Sequence, residues 1–356
     1  MSVQEEPAYG PAGGPRQRAT MQDVATVAGV SLKSVSRVVN RESGVSAALV
    51  ERVESAVQKL GYRHNLAASF LRRGQRTASI GMLVQDLSNG FCGETLRVVE
   101  DRARERGVVV MAASTDEDPV RERELVHGLV SRRIDGLILM PTDLDLSWLA
   151  DDMASGLVVV GLDRLPAFPP IDAVIVDNQG GSAEAVGHLM AHGHRRIAVL
   201  GDVDRISTAR DRRAGYTAAL RAGGVTPDPL LVRTGIRTRA QAQQATLELL
   251  DLADPPTAIF AARDTSCEGA VRALQQRGLA DVVALVAFDD LAMADVVSPR
   301  ITVVKQDTRE IGNRAIDRLL GRLDGDTSPV RVDVVTTTLI PRGSGEIRPA
   351  ASPGRG

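Results

Sequence analysis

The 356-residue chain is poor in cysteine and has no long apolar run. Cys92 and Cys267 lie far apart and in no zinc-ligand spacing, which argues against a disulfide framework or a cysteine zinc site. No apolar run approaches the roughly 18 residues that span a bilayer, and the N-terminus lacks a charged-then-apolar signal pattern. The sequence therefore predicts a cytoplasmic protein with reduced thiols and no membrane partner.

Motifs that carry common enzyme chemistry are also missing. The chain has no Walker-type phosphate loop, no G-x-S-x-G elbow and no G-x-G-x-x-G turn. His188 and His192 lie four residues apart with His194 nearby, a spacing that zinc could use. The helix-ending Gly193 and the lack of an evident acidic partner argue against a metal. We therefore expect no catalytic residue, no metal and no cofactor.

Charge is distributed unevenly along the chain. Residues 16–76 contain 11 Lys and Arg against 4 Asp and Glu, a net charge of +7, whereas the whole chain carries −2. A small basic unit on a larger acidic one suggests that the N-terminal unit binds a polyanion. Taken alone, such a basic run is more often a solvated surface.

Three short helices are predicted between Thr20 and Gly61. Each has a polar residue suited to cap its start, and the first and third are followed by a glycine suited to end them. The caps are Thr20 with Asp23, Ser31, and Ser46, and the ending glycines are Gly29 and Gly61. The first two helices are joined by "AGVS", in which Gly29 permits a left-handed turn and Val30 fills the space between them, which predicts a helix-turn-helix.

The second helix carries polar side chains away from a stripe of valines at positions 35, 38 and 39. The side chains on this polar face are Leu32, Lys33, Ser34, Ser36 and Arg37. Short donors and an arginine near the start of a helix suit phosphates and base edges in a major groove. The alternative is that they only solvate a surface helix. The turn chemistry and the basic charge favour DNA.

From Ile80 onward, short apolar runs alternate with amphipathic helical stretches. Continuous apolar strands between helices predict parallel sheets that are covered on both faces. Nine runs fit two sheets better than one, and a ligand is expected in the cleft between the sheets. The runs are "IGMLV", "VVVMAAS", "DGLILM", "LVVVGL", "AVIVDN", "RRIAVLG", "TAIFAA", "VVALVAF" and "ITVVKQ".

The stretches "TMQDVATVAGVSLKSVSRVVN", "VSAALVERVESAVQKLGYRHNLAASFLRRGQ" and "IGMLVQDLSNGF" resemble the LacI/GalR family of bacterial transcription regulators. The likeness runs from Thr20 to about Gly343. It implies an all-α helix-turn-helix headpiece, a hinge helix, and an effector-binding α/β core of two doubly wound parallel-sheet subdomains, similar to periplasmic binding proteins and linked by three crossovers. It also implies a homodimer that binds double-stranded operator DNA and a small-molecule effector, most often as a repressor.

The expected domain boundaries follow from the resemblance and from composition. They are a disordered lead-in at 1–17, the headpiece at 18–64, the hinge helix and linker at 65–77, the core at 78–343 and a disordered tail at 344–356. Within the core we expect an N-subdomain of about 78–176 and 307–343 and a C-subdomain of about 177–306. The end "GSGEIRPAASPGRG" has no apolar heptads, which predicts a dimer rather than a tetramer.

The resemblance also implies which residues contact the operator. Leu32, Lys33 and Arg37 would read bases, and the residues that would hold phosphates or fix the helix are Thr20, Ser31, Ser34, Ser36 and Asn40. The hinge would run from Asn65 to Arg72, with Leu71 entering the minor groove. Asn65 can cap such a helix, and the small Ala68 lets two hinges of a dimer approach. His64 stands where the family usually has Pro, which loosens the start of the hinge or is simply tolerated.

Polar residues at strand ends are the candidate effector ligands. Those found from their position alone are Asp86, Asp163, Arg164, Asp264 and Asp289, together with Arg212, which opens a helix and could pair with ligand hydroxyls or a carboxylate. Any one of these carboxylates could instead cap a helix. The resemblance matches Asp163, Arg164, Arg212, Asp289 and Gln306 to sugar-binding positions and Phe91 to a ring-stacking position, with Thr208 and Ile236 as weaker candidates.

Two departures from the family pattern leave the effector open. "NGFC" stands for the usual "NPFF", and Arg263 replaces the Asn that often precedes Asp264. The extra guanidinium could favour a sugar acid or a phosphosugar. The alternative to a regulator is a sugar-binding transport or sugar-processing protein without a DNA role. The headpiece, the absent export signal and the missing catalytic motifs argue against it.

Overall fold

The computed structural model describes residues 19–39, 44–62 and 77–350, which belong to two compact units divided after Thr77. The N-terminal unit contains α1 (Met21–Ala28), α2 (Leu32–Val39) and α3 (Ala47–Leu60). The second unit contains alternating strands and helices. The predicted lead-in at 1–17 and residues 65–76 of the predicted hinge helix and linker (65–77) lie outside the described residues.

The caps of the N-terminal helices follow the sequence prediction at most positions. Thr20 Oγ1 accepts a hydrogen bond from the Asp23 N–H at 3.2 Å, and the Asp23 carboxylate accepts one from the Thr20 N–H at 2.7 Å. These bonds from Thr20 lower the pKa of Asp23. Ser31 Oγ accepts from the Ser34 N–H at 3.1 Å. Ser46 occupies the N-cap position of α3, but its side chain makes no capping hydrogen bond.

The turn between α1 and α2 is held from the third helix. Gly29 ends α1 in the left-handed conformation, at φ 61°, as predicted. The Arg52 guanidinium of α3 donates to the carbonyl oxygens of Ala28 at 2.7 Å and Gly29 at 3.0 Å. Below the turn, Val35 of α2 is completely buried in the core of the unit. Arg52 therefore fixes the angle between the two helices, a role that helix periodicity gave no sign of.

The elements of the second unit follow one another in an alternating order. The strands are β1 (Ser79–Val84), β2 (Val109–Ser114), β3 (Gly136–Leu139), β4 (Val158–Asp163), β5 (Asp172–Val176), β6 (Ile197–Leu200), β7 (Val232–Arg233), β8 (Ala258–Ala261), β9 (Ala284–Phe288), β10 (Thr302–Gln306), β11 (Val332–Val335) and β12 (Thr337–Ile340). The helices are α4 (Gly90–Glu105), α5 (Pro119–Ser131), α6 (Ala150–Ala154), α7 (Asn178–Ala191), α8 (Ser207–Ala222), α9 (Arg239–Leu250), α10 (Asp264–Arg277) and α11 (Thr308–Leu323).

The strands form two six-stranded sheets, in the orders β11-β5-β4-β3-β1-β2 and β12-β10-β9-β8-β6-β7. Each order reverses once, between β1 and β3 in the first sheet and between β6 and β8 in the second, so each sheet has a switch point. The prediction of two doubly wound subdomains is confirmed. The one antiparallel pairing among the described strands lies at the edge of the second sheet, between β12 and β10.

Each sheet is covered on both faces, as continuous apolar strands require. Along β1, Ile80, Met82 and Val84 are buried in one core cluster, and Leu83 in another on the opposite face. All nine predicted runs form strands. The three strands that were not predicted, β7, β11 and β12, lie at sheet edges, where they are short or half-exposed and form no continuous apolar run.

The chain crosses between the subdomains three times, after β5, after β10 and between β11 and β12. The predicted extent of the N-subdomain to residue 343 is wrong. The third crossover lies near Thr336, because β11 pairs with β5 of the first sheet whereas β12 pairs with β10 of the second. Residues 337–343 therefore belong to the C-subdomain.

The predicted disordered tail is wrong for residues 344–350. The Ser344 hydroxyl donates to the Leu285 carbonyl oxygen at 2.5 Å and accepts from the Thr302 N–H at 2.9 Å. His194 Nε2 lies 2.7 Å from the Ile347 carbonyl oxygen, and burial lowers the pKa of this histidine. Small polar residues suggested a disordered tail, but Ser344 docks on the second sheet. Residues 351–356 lie outside the described range.

Both cysteines are free, buried thiols, and burial raises the pKa of each to about 12. A thiol with so high a pKa is held in its unreactive protonated form. Within the described ranges, no group of three or more His, Cys, Asp or Glu is placed to hold a metal ion. None of the helices that the structure describes is long and apolar enough to cross a membrane.

Candidate functional site

The polar face of α2 is the first candidate site. Leu32 and Lys33 are exposed in the first turn of α2, and Leu32 is an apolar side chain 42% exposed to solvent. Ser34, Ser36 and Arg37 are half-buried, and the Arg37 guanidinium donates to the Gly44 carbonyl oxygen at 3.2 Å. Of the other seven predicted DNA contacts, Thr20 and Ser31 cap the starts of α1 and α2. Five lie outside the described residues, and they are Asn40, Asn65, Ala68, Leu71 and Arg72.

The second candidate site is a narrow cleft between the two sheets of the core, with a cavity volume of about 40 Å³. Its walls come from the carboxyl ends of the strands, where the two switch points face each other. The lining residues are Gln85, Asn89, Phe91, Met140, Asp163, Arg164, Asp202, Ile206, Thr208, Ala209, Arg212, Ala262, Arg263, Asp264, Asp289 and Gln306. Nine of the eleven residues predicted from sequence are among them.

Asp86 and Ile236 are the two predicted residues that the structure does not bring to the cleft. Asp86 is exposed, and its carboxylate accepts hydrogen bonds from the Ser88 N–H and hydroxyl, both at 2.8 Å. Gln85, the first residue after β1, lines the cleft in its place. Ile236 is 4% exposed and packs in an apolar cluster of the C-subdomain. Their assignment as cleft residues is therefore wrong.

Arg164 is fixed in the wall of the N-subdomain by a buried carboxylate. Its guanidinium forms two bonds with Glu117 and donates to the Pro141 carbonyl oxygen at 2.9 Å. Burial opposes the charge, but the Glu117 carboxylate outweighs it and raises the pKa of Arg164. Glu117 follows β2 and lies behind the cleft wall, so strand ends alone did not point to it.

Arg212 occupies the corresponding place in the wall of the C-subdomain. Its Nε donates to Asn178 Oδ1 at 2.7 Å, and Nη1 donates to the Ala262 carbonyl oxygen at 2.8 Å. Nη1 also lies 3.5 Å from Asp289 Oδ2, and the guanidinium carbon lies 3.8 Å from the centre of the Phe288 ring. These contacts use several of the N–H donors of the guanidinium and its planar face, and they hold the side chain of Arg212 rigid in the cleft wall.

Two aspartates end central strands in a strained backbone conformation. Asp163, the last residue of β4, has φ 61°, and Asp289, which follows β9, has φ 79°. Left-handed conformations are uncommon outside glycine and are concentrated at functional sites. Burial raises the pKa of both carboxyls, although Arg164 opposes the shift at Asp163 and Arg212 opposes it at Asp289. The fold therefore keeps two acidic groups in the cleft at a cost to its own stability.

Some buried polar atoms of the cleft have no hydrogen-bond partner among the described residues. They are Asp163 Oδ1, Arg164 Nε and Gln306 Oε1. Gln306 uses its amide nitrogen on the Asp289 carboxylate, which leaves its oxygen directed elsewhere. A buried unpaired polar atom costs stability unless a partner arrives. Two acceptors and one donor are therefore available to a ligand.

Two hydrogen bonds cross the cleft from one subdomain to the other. Asn89 Nδ2 at the start of α4 donates to Asp264 Oδ2 at 2.7 Å. The Arg205 guanidinium, before α8, donates to the Glu117 carbonyl oxygen at 2.8 Å. Asn89 and Arg205 were not predicted from sequence, because a contact between subdomains leaves no local pattern. The two bonds hold the cleft narrow and link ligand-lining residues to the angle between the subdomains.

Asparagine at position 163 is expected to stabilise the protein at neutral pH. Because the pKa of Asp163 is raised in the folded state, folding favours its protonated form, and this contribution is lost as pH rises through the folded pKa. Asp163→Asn removes the charge and nearly keeps the shape, so Tm should rise by a few degrees at about pH 7.5 and by less at about pH 4. Thermal unfolding at both pH values checks this. An equal or lower Tm for the variant at neutral pH would contradict it.

Comparison with known protein families gives two matches. Residues 20–65 match the family described as bacterial regulatory proteins, lacI family, and residues 186–345 match the periplasmic binding protein-like domain. The HTH-type transcriptional regulator PtxS of Pseudomonas plecoglossicida is 35% identical and aligns over 94% of this chain and 97% of its own. The HTH-type transcriptional repressor PurR of Aliivibrio salmonicida is 31% identical, over 86% of this chain and 92% of its own.

Solved structures resemble the whole chain as well. The lac repressor dimer bound to operator and the anti-inducer ONPF has a TM-score of 0.80 and 30% identity, covering 92% of this chain and 99% of that one. A complex of the transcriptional regulator CelR with cellobiose has a TM-score of 0.69 and 31% identity, covering 92% of this chain and 100% of that one. In both comparisons the likeness includes the helical unit and the two-sheet core.

Proposed function

Because the chain belongs to the LacI family of bacterial regulatory proteins, we propose that it represses carbohydrate-related genes by binding a pseudo-palindromic operator as a homodimer. As a member of this family it is a ligand-responsive DNA-binding transcriptional regulator. One observation carries the proposal: the same chain has a helix-turn-helix with an exposed polar helix face and a cleft with unpaired buried polar atoms. Relatives named as a repressor and as a repressor dimer on its operator support it.

The operator contacts are assigned to the polar face of α2 and to the hinge. Leu32 and Lys33 are exposed and free to approach a major groove, and Arg37 lies one turn further along. Thr20 and Ser31 lie at the starts of their helices, where capping groups and N–H donors suit phosphates. Because a homodimer has twofold symmetry, we expect its operator to contain two half-sites, one for each helix-turn-helix.

The effector is assigned to the cleft, as a sugar or sugar derivative. The nine cleft residues predicted from sequence supply hydrogen-bonding groups from both subdomains, and a relative is known in complex with cellobiose. A ligand between the subdomains would alter the two bonds that cross the cleft, those of Asn89 and Arg205. The resulting coupling to operator binding is expected at about 1 to 3 kcal/mol, the range typical of allosteric proteins.

We propose no catalytic activity for the chain and a cytoplasmic location. Its relatives are named as transcriptional regulators, and the three arginines of the cleft are each held by a carboxylate. A protein that binds operator DNA must be in the compartment that contains the chromosome, which in bacteria is the cytoplasm.

Replacing Arg37 with alanine is expected to weaken operator binding at least about tenfold. A good base contact discriminates by roughly 1 to 3 kcal/mol, and the guanidinium also ties α2 to the Gly44 carbonyl oxygen. The operator is first identified from the genomic sites that the protein occupies, and affinities are then measured by titration at fixed salt. Arg221→Ala, which removes an exposed charge from α8 of the core, serves as the control.

Unchanged operator affinity in Arg37→Ala would rule out its assigned contact. The same titrations test the dimer, since DNA that carries only one half-site should bind far more weakly than the full operator. Equal affinity for half-site and full operator would argue against a dimer on a pseudo-palindrome.

A further inference from the structure

We propose that the cleft selects uncharged, hydroxyl-rich ligands against anionic ones, and that Asp202 enforces this selection by neutralising Arg263. The proposal rests on the assignment of the cleft as the effector site and narrows the class of effector. It reverses the expectation from sequence that the additional guanidinium at position 263 favours a sugar acid or a phosphosugar.

Every guanidinium that lines the cleft already has a carboxylate partner. Arg164 is paired with Glu117, Arg212 with Asp289, and Arg263 with Asp202. The lining also contains Asp163 and Asp264, which have no arginine of their own. Asp163 lies 4.0 Å from Arg164, beyond hydrogen-bond distance, and Asp264 lies 3.8 Å from the Arg263 Nε. The three arginines thus face five carboxyl groups, and an incoming anion meets no unpaired cation among the lining residues.

The pairing of Arg263 with Asp202 is built into the C-subdomain. Asp202 follows β6 and Arg263 follows β8, the two strands that flank the switch point of the second sheet. One carboxylate oxygen of Asp202 accepts from the Val203 N–H at 2.7 Å, and the other contacts the Arg263 guanidinium. Side chains of the pair are only 11% and 19% exposed. Asp202 is therefore oriented before the ligand arrives, and water screens the pair little.

The atoms that remain available suit hydroxyl groups. Asp163 Oδ1 and Gln306 Oε1 are acceptors without partners, on side chains 8% and 4% exposed, and Arg164 Nε is a donor without one, on a guanidinium already paired with Glu117. A ligand hydroxyl can donate to each of the two acceptors, and it can accept a hydrogen bond from Asp163 if that carboxyl is protonated. The phosphoryl group of a phosphosugar dianion carries no proton and can donate to neither. Unpaired acceptors would then remain buried beside an anion.

An anion in this cleft would lose its hydration without gaining a cation. Transfer of an unpaired charge out of water is strongly unfavourable, and breaking an existing pair leaves a buried carboxylate behind. Removal of the Asp202 charge should make anion binding more favourable, because it leaves the Arg263 guanidinium in the cleft lining without its carboxylate partner. A single substitution should therefore convert anion exclusion into anion binding.

The test uses the full-length protein and two substitutions on the same loop. Asp202→Asn removes the partner of Arg263. Asp204→Asn removes an equal charge two residues away, from a side chain that is 55% exposed and paired with Arg213. Each protein is titrated calorimetrically with inorganic phosphate and with matched sets of sugars. The glucose and galactose sets each contain the neutral sugar, its uronate and its 6-phosphate, and the ribose set contains ribose and its 5-phosphate.

Wild type and Asp204→Asn are expected to bind phosphate and every anionic sugar at least about tenfold more weakly than the best neutral sugar. Asp202→Asn is expected to bind phosphate measurably and to shift the ratio toward the anionic member by about tenfold or more. The double variant with Arg263→Gln should lose that gain. If Asp202→Asn does not fold, Asp202→Ser replaces it, because its hydroxyl can still accept from the Val203 N–H.

Wild-type binding of an anionic member as tight as that of its neutral counterpart overturns the proposal. So does an unchanged ratio, together with no phosphate binding, in the folded Asp202 variant. Failure of every neutral sugar to bind wild type counts against the sugar effector of the proposed function instead. The role of Asp202 is then decided by the phosphate titrations alone.

Discussion

Replacing Asp289 with alanine is expected to abolish the response to the effector while leaving effector-free operator binding nearly unchanged. Asp289 follows β9 in the cleft wall, and its Oδ2 lies 3.5 Å from Arg212 Nη1. Its other carboxylate oxygen accepts a hydrogen bond from the side-chain amide of Gln306. The substitution removes a ligand partner and releases two others at once. An effector that shifts operator affinity by about 5- to 150-fold in wild type should shift it by less than twofold in the variant.

The measurement is an operator titration with and without whichever sugar of a candidate panel changes wild-type binding. Asp281→Ala is the matched control, because Asp281 is an exposed carboxylate shortly before the opposite end of the same strand. A full response in Asp289→Ala would show that the effector site has been placed wrongly. Loss of operator binding without effector would instead indicate that Asp289 is needed for the fold.

Replacing Gly215 with alanine is expected to destabilise the core by about 3 kcal/mol, the upper part of the usual range for overpacking. A Cβ at this position of α8 would lie 2.2 Å from the Gln179 carbonyl oxygen and 2.9 Å from the Ser182 Cβ, both on α7. The first of these is backbone, so the two helices would have to separate. Tyr216, the next residue, is completely buried and would shift with them.

Gly187→Ala provides the control for that substitution within α7 itself. An added Cβ there meets no atom within 4 Å, so alanine should stabilise the helix by up to about 1 kcal/mol. Chemical unfolding of the two variants and wild type measures both effects. A Gly215→Ala variant as stable as wild type would mean that α7 and α8 can separate without loss, contrary to their close packing.

Much of the cleft could be predicted from sequence because strand ends carry their own signal. Asp163 and Asp289 each follow a continuous apolar run, and parallel strands bring their carboxyl ends to one edge. The same rule selected Asp86 instead of Gln85, since both follow β1 and only the turn of the chain decides which one faces the cleft. The position of a residue along a loop does not indicate which way its side chain points.

Other parts of the site depend on partners that are distant in sequence. Asp202 and Arg263 are 61 residues apart and meet only because β6 and β8 are neighbours in the sheet. Without that pairing, Arg263 looked like a free cation. Likewise, Ser344 and Ile347 looked like part of a linker, although the second sheet and His194 supply their hydrogen bonds. Composition describes a segment alone and not the surface on which it docks.

The late crossovers also determine how the chain must fold during synthesis. The first sheet is complete only after β11 has left the ribosome, and the second only after β12. At about 5 to 20 residues per second, translation from β1 to β12 takes roughly 10 to 50 s. On the nascent chain β5 is an unpaired sheet edge from its own synthesis until β11 is made, and β10 is one for the shorter time until β12 is made. The core therefore has unpaired sheet edges until its last few dozen residues are made, whereas the N-terminal helical unit does not wait for them.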